Sequence, residues 1–416
     1  MTWGGRAPAV LGTGLVGLAC VVGALLARLV PQGQPYDEPS HLGTVLQYAH
    51  GHPLPVLGDP GVTYEAQMGP VYYAVSALPA QLVGDGDRHL HVLYALRFGW
   101  LVLVPLLGFL TFRLAQELRA PTWAAALAAG AVALNPTMLA IAASVQNDYL
   151  CIVLACCAGL VGCRALRPAA GTQIATAAGI LVGLAVLTKV TAAALLIAFV
   201  VAALADRRSG WGRRCARAGA AVFGTVLVSG WWFVRNVIEY GDPTGSSAVH
   251  RTGVSFPPLA FTGLGSVTAW IRSLISYGFA PTEYYRNAFH APTAVRLLAV
   301  VVFLYAVGVL ALLLIRRLRV TWSVPDPPVV FAVSTVIITV VGYAVAAWTM
   351  QAIAPRLVFV AAPIGMAFLA RLVGSPSVRA LLTTLLGTLI AAFCVLDAWL
   401  LVAVAGMPAD PVLWRF

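Results

Sequence analysis

Residues 7–30 read APAVLGTGLVGLACVVGALLARLV, an apolar run in which Arg28 is the single charged residue. A helix needs about 20 apolar residues to cross the hydrocarbon core of a bilayer. The run is too long for the apolar region of a typical secretory signal, and no small-residue cleavage pattern ends it. We therefore predict that residues 7–30 form a membrane span that stays in the protein.

The rest of the chain has the same apolar character. Its 416 residues are 60% hydrophobic and only 10% charged, and the mean hydropathy is +0.87. Similar apolar runs recur as far as residue 404, and in lipid such runs must be helices to satisfy their own backbone groups. The sequence predicts an all-α polytopic protein whose partner is the lipid bilayer. No internal repeat or linker divides it, so residues 1–416 are expected to form one transmembrane domain.

Arginines between the apolar runs predict the topology. They supply most of the net charge of +11, and the positive-inside rule assigns their clusters to the cytoplasm. Each interval between clusters must then cross the membrane an even number of times, which gives eleven spans, a cytoplasmic amino terminus and an outer carboxyl terminus. Because the clusters are topology signals, no nucleic-acid partner is expected. The clusters are Arg113/Arg119, Arg164/Arg167, Arg207/Arg208/Arg213/Arg214/Arg217, Arg316/Arg317/Arg319 and Arg371/Arg379.

Histidines and acids have the opposite distribution. All seven histidines and most acidic residues fall in the predicted outer segments. None of the seven cysteines lies in an outer loop, so neither a disulfide framework nor a thiolate metal site is expected. Any chemistry is therefore predicted on the extracytoplasmic face.

The segment YDEPSHL at 36–42 directly follows the first span. Pro39 suits the first turn of a helix, which would place Asp37 and Glu38 at a helix N-terminus, where the helix dipole favours negative charge. His41 follows three and four residues later, so the three side chains can share one face. The cluster is either a helix cap or a functional site, in which an acid is a general base or a ligand for a divalent cation.

The segment YEAQMGPVYY at 64–73 closes the same outer loop. Tyrosine prefers the membrane interface, so Tyr72 and Tyr73 are interpreted as anchors. Glu65 has no such explanation and is a candidate for substrate binding.

Lys189 is the only lysine in the chain and interrupts an apolar stretch. A charge inside a span costs at least a few kcal/mol unless it is paired or close to the interface. Lys189 is therefore a functional cation or a snorkelling anchor at a hairpin tip. Asp148, at the apex of the neighbouring predicted hairpin, is either a cap or a second acid of the same site.

Arg235 and Arg356 depart from the topology trend because they fall on the predicted outer side. Arg235 ends the seventh predicted span behind an aromatic belt, and Arg356 follows Gln351 at another outer apex. Cations at outer helix ends suit an anionic group such as a phosphate.

Taken together, these motifs resemble the GT-C superfamily of membrane glycosyltransferases and are similar to those of protein O-mannosyltransferases and aminoarabinose lipid A transferases. The resemblance runs in order from residue 35 to residue 371. Its motifs are the acidic pair at 37–38, GLAVLTK at 183–189, GWWFVRN at 230–236, YGDP at 240–243 and residues 351–356.

The resemblance implies a polyprenyl-phosphate-linked sugar as donor, an extracytoplasmic hydroxyl acceptor, and an inverting transfer in cell-envelope glycan, glycolipid or glycoprotein synthesis. It also implies that Asp37 is the catalytic base, with Glu38 beside it and Asp148 as a second catalytic acid. The candidates for substrate binding are Lys189, Arg235 and Arg356 for the donor phosphate, with His41, Glu65 and Gln351 around them. The sequence assigns no cofactor, and a divalent cation stays open.

Two positions depart from the family pattern. Met68-Gly69-Pro70 stands where relatives often carry His-Pro-Pro, and Leu357 follows Arg356 where tyrosine is usual. Alternative functions are a transporter or flippase for a lipid-linked or anionic substrate, or a non-catalytic partner in envelope assembly. A transporter is expected to carry polar groups at the bilayer midplane, broken helices and inverted repeats. The position of the charges at one face favours the enzyme.

Overall fold

The computed structural model describes residues 7–52, 54–83, 89–251, 326–350, 355–375 and 379–408, with scattered residues between 268 and 308. Within these ranges the protein consists of helices and loops. The only pairing of extended backbone among them is an isolated antiparallel bridge between Pro35 and Tyr285. The predicted all-α fold is confirmed.

The amino-terminal part begins with the predicted first span. The segment predicted to be extracytoplasmic then carries a short helix, whose start at Glu38 agrees with the prediction from Pro39, and a 3-10 helix over Tyr64–Gln67. The α-helices of this part are α1 (Ala7–Leu29), α2 (Glu38–Ala49), α3 (Val71–Val83), α4 (His89–Trp100) and α5 (Leu103–Glu117).

The middle of the chain contains two breaks between helices. One break precedes Asp148, and the other lies at Lys189, just before a 3-10 helix over Val190–Ala192. The helices are α6 (Thr122–Ala133), α7 (Pro136–Ala142), α8 (Asp148–Ala165), α9 (Thr172–Val186) and α10 (Ala193–Ala205).

The carboxyl-terminal part contains the longest helices. A 3-10 helix over Pro355–Ala361 carries Arg356 between two of them, whereas Gln351 lies outside the described residues. The helices are α11 (Trp211–Tyr240), α12 (Ser246–Arg251), α13 (Pro327–Met350), α14 (Ala362–Leu372) and α15 (Arg379–Ala405).

The described residues contain 6 helices that are long and apolar enough to cross a membrane, or up to 7 if the bent pair α6 and α7 forms one span. The bend between α6 and α7 is 59°. Shorter apolar helices cover Val71–Val83, Thr172–Val186 and Val190–Ala205. The protein is thus a multi-pass membrane protein. The number eleven stays a prediction, since most of residues 252–325 lie outside the described part.

One end of the helix bundle gathers the predicted cytoplasmic charges. Arg167 Nε lies 3.1 Å from Glu117 Oε1, and Arg208 Nη1 lies 3.1 Å from Asp326 Oδ1. Arg167 Nη1 also lies 3.5 Å from Asp326 Oδ2, so these contacts join the ends of α5 and α8 to the α10–α11 connection and the start of α13. Within the described residues these charges therefore lie at one end of the bundle, as the alternation of spans predicts, whereas Arg316, Arg317 and Arg319 lie outside the described part.

Helices α9 and α11 approach closely because glycines face each other across their interface. A Cβ on Gly179 would lie 2.1 Å from the carbonyl oxygen of Ala221, and one on Gly224 would lie 2.4 Å from that of Thr176. The Thr225 hydroxyl donates a 3.0 Å hydrogen bond to the Gly179 carbonyl. Small residues of this kind let membrane helices pack backbone to backbone. The contact holds α9 in place, and Lys189 follows directly after its end.

Candidate active site

Asp37 occupies the residue before α2 and has a φ of +65°. This left-handed conformation is uncommon outside glycine, but aspartate tolerates it better than branched residues. The carboxylate accepts hydrogen bonds from the Tyr64 hydroxyl at Oδ1 and from the Arg356 guanidinium at Oδ2. Its side chain is 20% exposed. Asp37 is thus fixed by two neighbours and still open on one side.

Asp148 begins α8 and lies in the same cluster. Lys189 Nζ donates a 2.6 Å hydrogen bond to its Oδ1, and Arg356 Nε lies 3.8 Å from its Oδ2. Asp148 and Lys189 are both buried, with side chains 5% and 10% exposed. Arg356 therefore stands between the carboxylates of Asp37 and Asp148.

Arg356 also contacts a residue that the sequence did not single out. Its Nη1 donates a 3.2 Å hydrogen bond to Gln146 Oε1, and the Gln146 amide donates to the Tyr36 carbonyl. Gln146 lies in the loop between α7 and α8, two residues before Asp148. It links the loop in front of Asp37 to the loop in front of Asp148.

Glu38 turns away from this cluster and is completely buried. Its carboxylate accepts two hydrogen bonds from Arg97 on α4, at 2.8 Å from Nε and 2.5 Å from Nη2, and one at 3.0 Å from the Val145 backbone. Arg97 also donates to the carbonyls of Ala27 and Val30 at the end of α1. The Glu38–Arg97 pair therefore joins α1, α2, α4 and the loop before Asp148.

Arg97 was missed by the sequence analysis. It is the only lysine, arginine or acidic residue between residues 89 and 112. An isolated ionisable residue in an apolar helix usually has a partner inside the bundle. The isolation of Arg97 in the sequence therefore indicates a buried partner, but it does not identify the acid.

His41 and Glu65 form a buried group beside the charged cluster. The His41 Nδ1 lies 2.9 Å from the Tyr73 hydroxyl, and its Nε2 lies 3.7 Å from Glu65 Oε1. Both side chains are 2% exposed. The ring of His41 also stacks on that of Tyr73, with centroids 5.9 Å apart. The tyrosine predicted to be a membrane anchor is thus a buried partner of His41.

Burial and neighbouring charges shift the pKa values of Asp37, His41 and Glu65. Burial opposes ionisation of Asp37, but the Arg356 charge, the nearby His41 and the hydrogen bond from Tyr64 outweigh it and hold the pKa of Asp37 below its usual range. Burial lowers the pKa of His41 to about 3. Burial, followed by the charge of Asp37, raises the pKa of Glu65 to about 8. At neutral pH, Asp37 is ionised, whereas His41 and Glu65 are neutral.

Arg235 lies apart from the charged cluster formed by Asp37, Asp148, Lys189 and Arg356. Its guanidinium stacks on Trp232, 4.8 Å from the ring centroid, and donates 3.0 Å hydrogen bonds to the carbonyls of Leu54 and Pro55. Leu54 has a φ of +57°, which is unusual for a branched residue. Arg235 holds the outer loop that leads into the 3-10 helix of Tyr64 and Glu65.

The described residues contain no group of three or more histidine, cysteine, aspartate or glutamate side chains that could hold a metal ion. Asp37 and Asp148 are instead bound by Arg356 and Lys189. The donor set in this part of the chain is that of ion pairs, and it does not fit a divalent cation site.

The departure at Met68-Gly69-Pro70 has a structural explanation. A Cβ on Gly69 would lie 2.0 Å from the carbonyl oxygen of Leu187, and the Val71 amide donates a 3.3 Å hydrogen bond to the same oxygen. The Asn147 amide donates to the Thr188 carbonyl at 3.0 Å. The segment after Glu65 is therefore packed directly against the backbone that presents Lys189.

Gly69→Ala is expected to displace this contact, because backbone atoms on both sides leave no room for a methyl group. We expect a loss of stability of about 1–3 kcal/mol or more. The matched control is Gly99→Ala, whose Cβ would meet nothing within 4 Å. Thermal unfolding of both variants in one detergent measures the difference; equal midpoints would contradict the packing described.

Comparison with known proteins supports the resemblance inferred from the motifs. The family model described as dolichyl-phosphate-mannose-protein mannosyltransferase matches residues 68–233, less than half of the chain. This region includes Asp148 and Lys189 but neither Asp37 nor Arg356. A search of curated proteins found no match.

Two archaeal structures show the same fold at low sequence identity. The Archaeoglobus fulgidus oligosaccharyltransferase tethered with an acceptor peptide has a TM-score of 0.57 and 16% identity, covering 96% of this chain and 56% of that one. AglB from the same organism, in complex with an inhibitory peptide and a dolichol-phosphate, has a TM-score of 0.54 and 12% identity, with coverages of 96% and 56%. ArnT from Cupriavidus metallidurans, bound to undecaprenyl phosphate, has a TM-score of 0.43 and 16% identity, with coverages of 92% and 77%.

The chain spans slightly more than half the length of the archaeal enzymes that it matches. At these identities the likeness shows a shared fold. The multi-pass helical fold that the sequence predicts agrees with this likeness.

Proposed function

We propose that the protein is an inverting membrane glycosyltransferase that moves a sugar from a polyprenyl-phosphate-linked donor to an extracytoplasmic hydroxyl acceptor. The observation that carries the proposal is the cluster of Asp37, Asp148, Lys189 and Arg356, in which Arg356 lies between the two carboxylates and Lys189 pairs with Asp148. Cations suit the phosphate, and a carboxylate suits the proton of the acceptor. The matching family is described by a dolichyl-phosphate sugar, and AglB was solved with a dolichol-phosphate.

In this proposal Lys189 and Arg356 bind the donor phosphate. The acceptor hydroxyl attacks the anomeric carbon, the bond from this carbon to the phosphate oxygen breaks, and the phosphate leaves with the electron pair. Asp37 takes the proton of the hydroxyl. Because the cations lie where negative charge grows on the leaving group, they stabilise the transition state more than the ground state.

The ion pair between Asp37 and Arg356 gives the donor a second role. In the free protein the pair makes Asp37 a weak base, since a carboxylate with a lowered pKa holds a proton poorly. A phosphate that draws Arg356 toward itself would restore the basicity of Asp37. The donor is then expected to bind before the acceptor.

The remaining candidates have supporting roles in this proposal. Glu38 contacts only Arg97 and backbone among its described partners, so we assign it to positioning Asp37. Arg235 is assigned to the outer loop and not to the phosphate, because its hydrogen bonds go to loop carbonyls. His41 supports α2 and α3 through Tyr73. Gln351 keeps its predicted role as a substrate contact.

The cluster is proposed to face the extracytoplasmic side, opposite the arginine clusters, with the amino terminus inside. In a cysteine-free variant, single cysteines replacing Asp59 or Thr244, both exposed, should react with an impermeant thiol reagent on whole cells. A cysteine replacing the exposed Arg207 should react only after permeabilisation. The opposite labelling pattern would reverse the topology.

Lys189→Met is expected to raise the KM for the donor by about tenfold or more and to lower kcat, since the phosphate contact tightens as the leaving group gains charge. Lys189→Arg should rescue activity in part, because it keeps the charge and changes the geometry. The control is Arg207→Met, an exposed cation at the other end of the bundle. Full activity of Lys189→Met would show that Lys189 is only an anchor.

The function itself is tested by incubating purified protein in nanodiscs with a panel of polyprenyl-phosphate sugars and a mixture of envelope acceptors. Release of polyprenyl phosphate from one donor is the expected result. Movement of a lipid-linked substrate across proteoliposomes with no release would instead favour the transporter.

A further inference from the structure

Glu65 is a buried acid that the proposed mechanism does not use. It lies in the 3-10 helix Tyr64–Gln67 and is 1% exposed. Its Oε2 has no hydrogen-bond partner among the described residues. Its Oε1 lies 3.7 Å from the His41 Nε2, beyond the usual length of a hydrogen bond. A buried carboxyl with a free oxygen beside a charged cluster needs an explanation.

Within the described part of the chain, the cations near Glu65 are already paired with other acids. Asp148 pairs with Lys189, and Asp37 pairs with Arg356, so these four charges balance. Among the described residues, no other lysine or arginine forms an ion pair with these acids. Among the described residues, the other groups near Glu65 are uncharged side chains: His41 on α2, Tyr73 on α3 and the neighbouring Tyr64.

His41 does not supply the missing positive charge. Burial lowers its pKa to about 3, so its imidazole is neutral at physiological pH. A third carboxylate would add an unbalanced negative charge to a buried site, which is costly. Burial and the Asp37 charge accordingly raise the pKa of Glu65 to about 8. The carboxyl therefore carries a proton and has an O–H group to donate.

We propose that Glu65 acts as a neutral acid that donates a hydrogen bond to the donor phosphate between Lys189 and Arg356. The inference rests on the proposed function, because it takes the phosphate as the ligand of the cluster. Phosphate oxygens only accept hydrogen bonds, so they match a protonated carboxyl and repel an ionised one. An uncharged donor also leaves Lys189 and Arg356 their full charge toward the phosphate.

The protonation of Glu65 can be tested without any ligand. The infrared spectrum at pH 7 should contain the carbonyl stretch of a protonated carboxyl group that is missing from Glu65→Gln. The matched control is Glu239→Gln, which alters an exposed glutamate and should leave this band unchanged. A difference spectrum without the band would overturn the inference.

The role toward the phosphate is tested by binding of a polyprenyl methyl phosphate diester, which keeps one negative charge across the range used. Wild-type protein should lose about tenfold in affinity between pH 7 and pH 9.5, because ionisation of Glu65 above pH 8 brings like charges together. Glu65→Gln, which donates at every pH, should bind within about threefold of wild type at pH 7 and show no such loss.

The binding experiment separates failure of the Glu65 role from failure of the proposed function. Binding by wild type that does not change with pH, or a pH dependence that persists in Glu65→Gln, contradicts the role of Glu65 and leaves the proposed function standing. Failure of wild type to bind the diester at either pH contradicts the proposed function, and the inference falls with it.

Discussion

Arg97→Met is expected to destabilise the protein by about 3–5 kcal/mol, because it leaves the Glu38 carboxylate buried without its partner. Glu38 and Arg97 are both fully buried, and they share two hydrogen bonds of 2.8 and 2.5 Å. The substitution also removes the donors to Ala27 and Val30 at the end of α1. Thermal unfolding in one detergent should show a large drop in the midpoint.

The control for this prediction is Arg113→Met, which removes an exposed arginine from α5. Surface substitutions of this kind usually change stability by less than about 0.5 kcal/mol. The double variant Glu38→Leu/Arg97→Met removes both charges and should regain part of the lost stability, since replacing a whole buried pair is tolerated better than breaking it. If Arg97→Met unfolds like wild type, Glu38 is not held by this pair.

The pair also explains how distant parts of the chain meet. Glu38 follows Asp37 directly, and Val145 precedes Gln146 and Asp148. By binding both Glu38 and the end of α1, Arg97 fixes the loop before α2, while Glu38 fixes the loop before α8. A folded Arg97 variant with lower turnover but normal donor affinity would agree with a positioning role.

Much of the site could be predicted because charges are rare in this chain. Asp37, Asp148, Lys189 and Arg356 come from four separate segments, and each was selected as a polar residue near a predicted outer helix end. The structure brings all four together. Charged residues inside a membrane protein usually pair with one another, because lipid offers them no partner.

The directions of the side chains could not be predicted. Asp37 and Glu38 are neighbours in sequence, yet Asp37 lies outside the first turn of α2 in a left-handed conformation, whereas Glu38 begins the helix and points inward. The motif at 230–236 suggests that Arg235 contacts a phosphate. In the structure its guanidinium instead stacks on the ring of Trp232 and binds two loop carbonyls. Such choices depend on the tertiary neighbours, which spacing alone does not give.

Asp37→Asn is the substitution for which the proposed mechanism predicts the largest loss of activity. Asparagine can still accept the Tyr64 hydrogen bond, but it cannot take the proton of the acceptor. Turnover should fall by roughly 10²-fold or more. The substitution also frees Arg356 from its ion pair, so affinity for the donor phosphate should be unchanged or higher.

Loss of turnover with retained or tighter donor binding separates a base from a structural acid, whose loss would weaken both. The matched control is Asp59→Asn, an exposed aspartate in the same outer loop, which should keep wild-type turnover. Glu38→Gln should lower stability more than Asp37→Asn does, because the Glu38 side chain is fully buried whereas that of Asp37 is 20% exposed.

The most direct measurement is therefore donor turnover by Asp37→Asn, in protein shown to be folded and to bind the polyprenyl-phosphate donor, beside wild type in the same nanodiscs. The proposed mechanism predicts release of polyprenyl phosphate at about 1% of the wild-type rate or less. Release within a few-fold of the wild-type rate would remove Asp37 from the mechanism and contradict the proposed base.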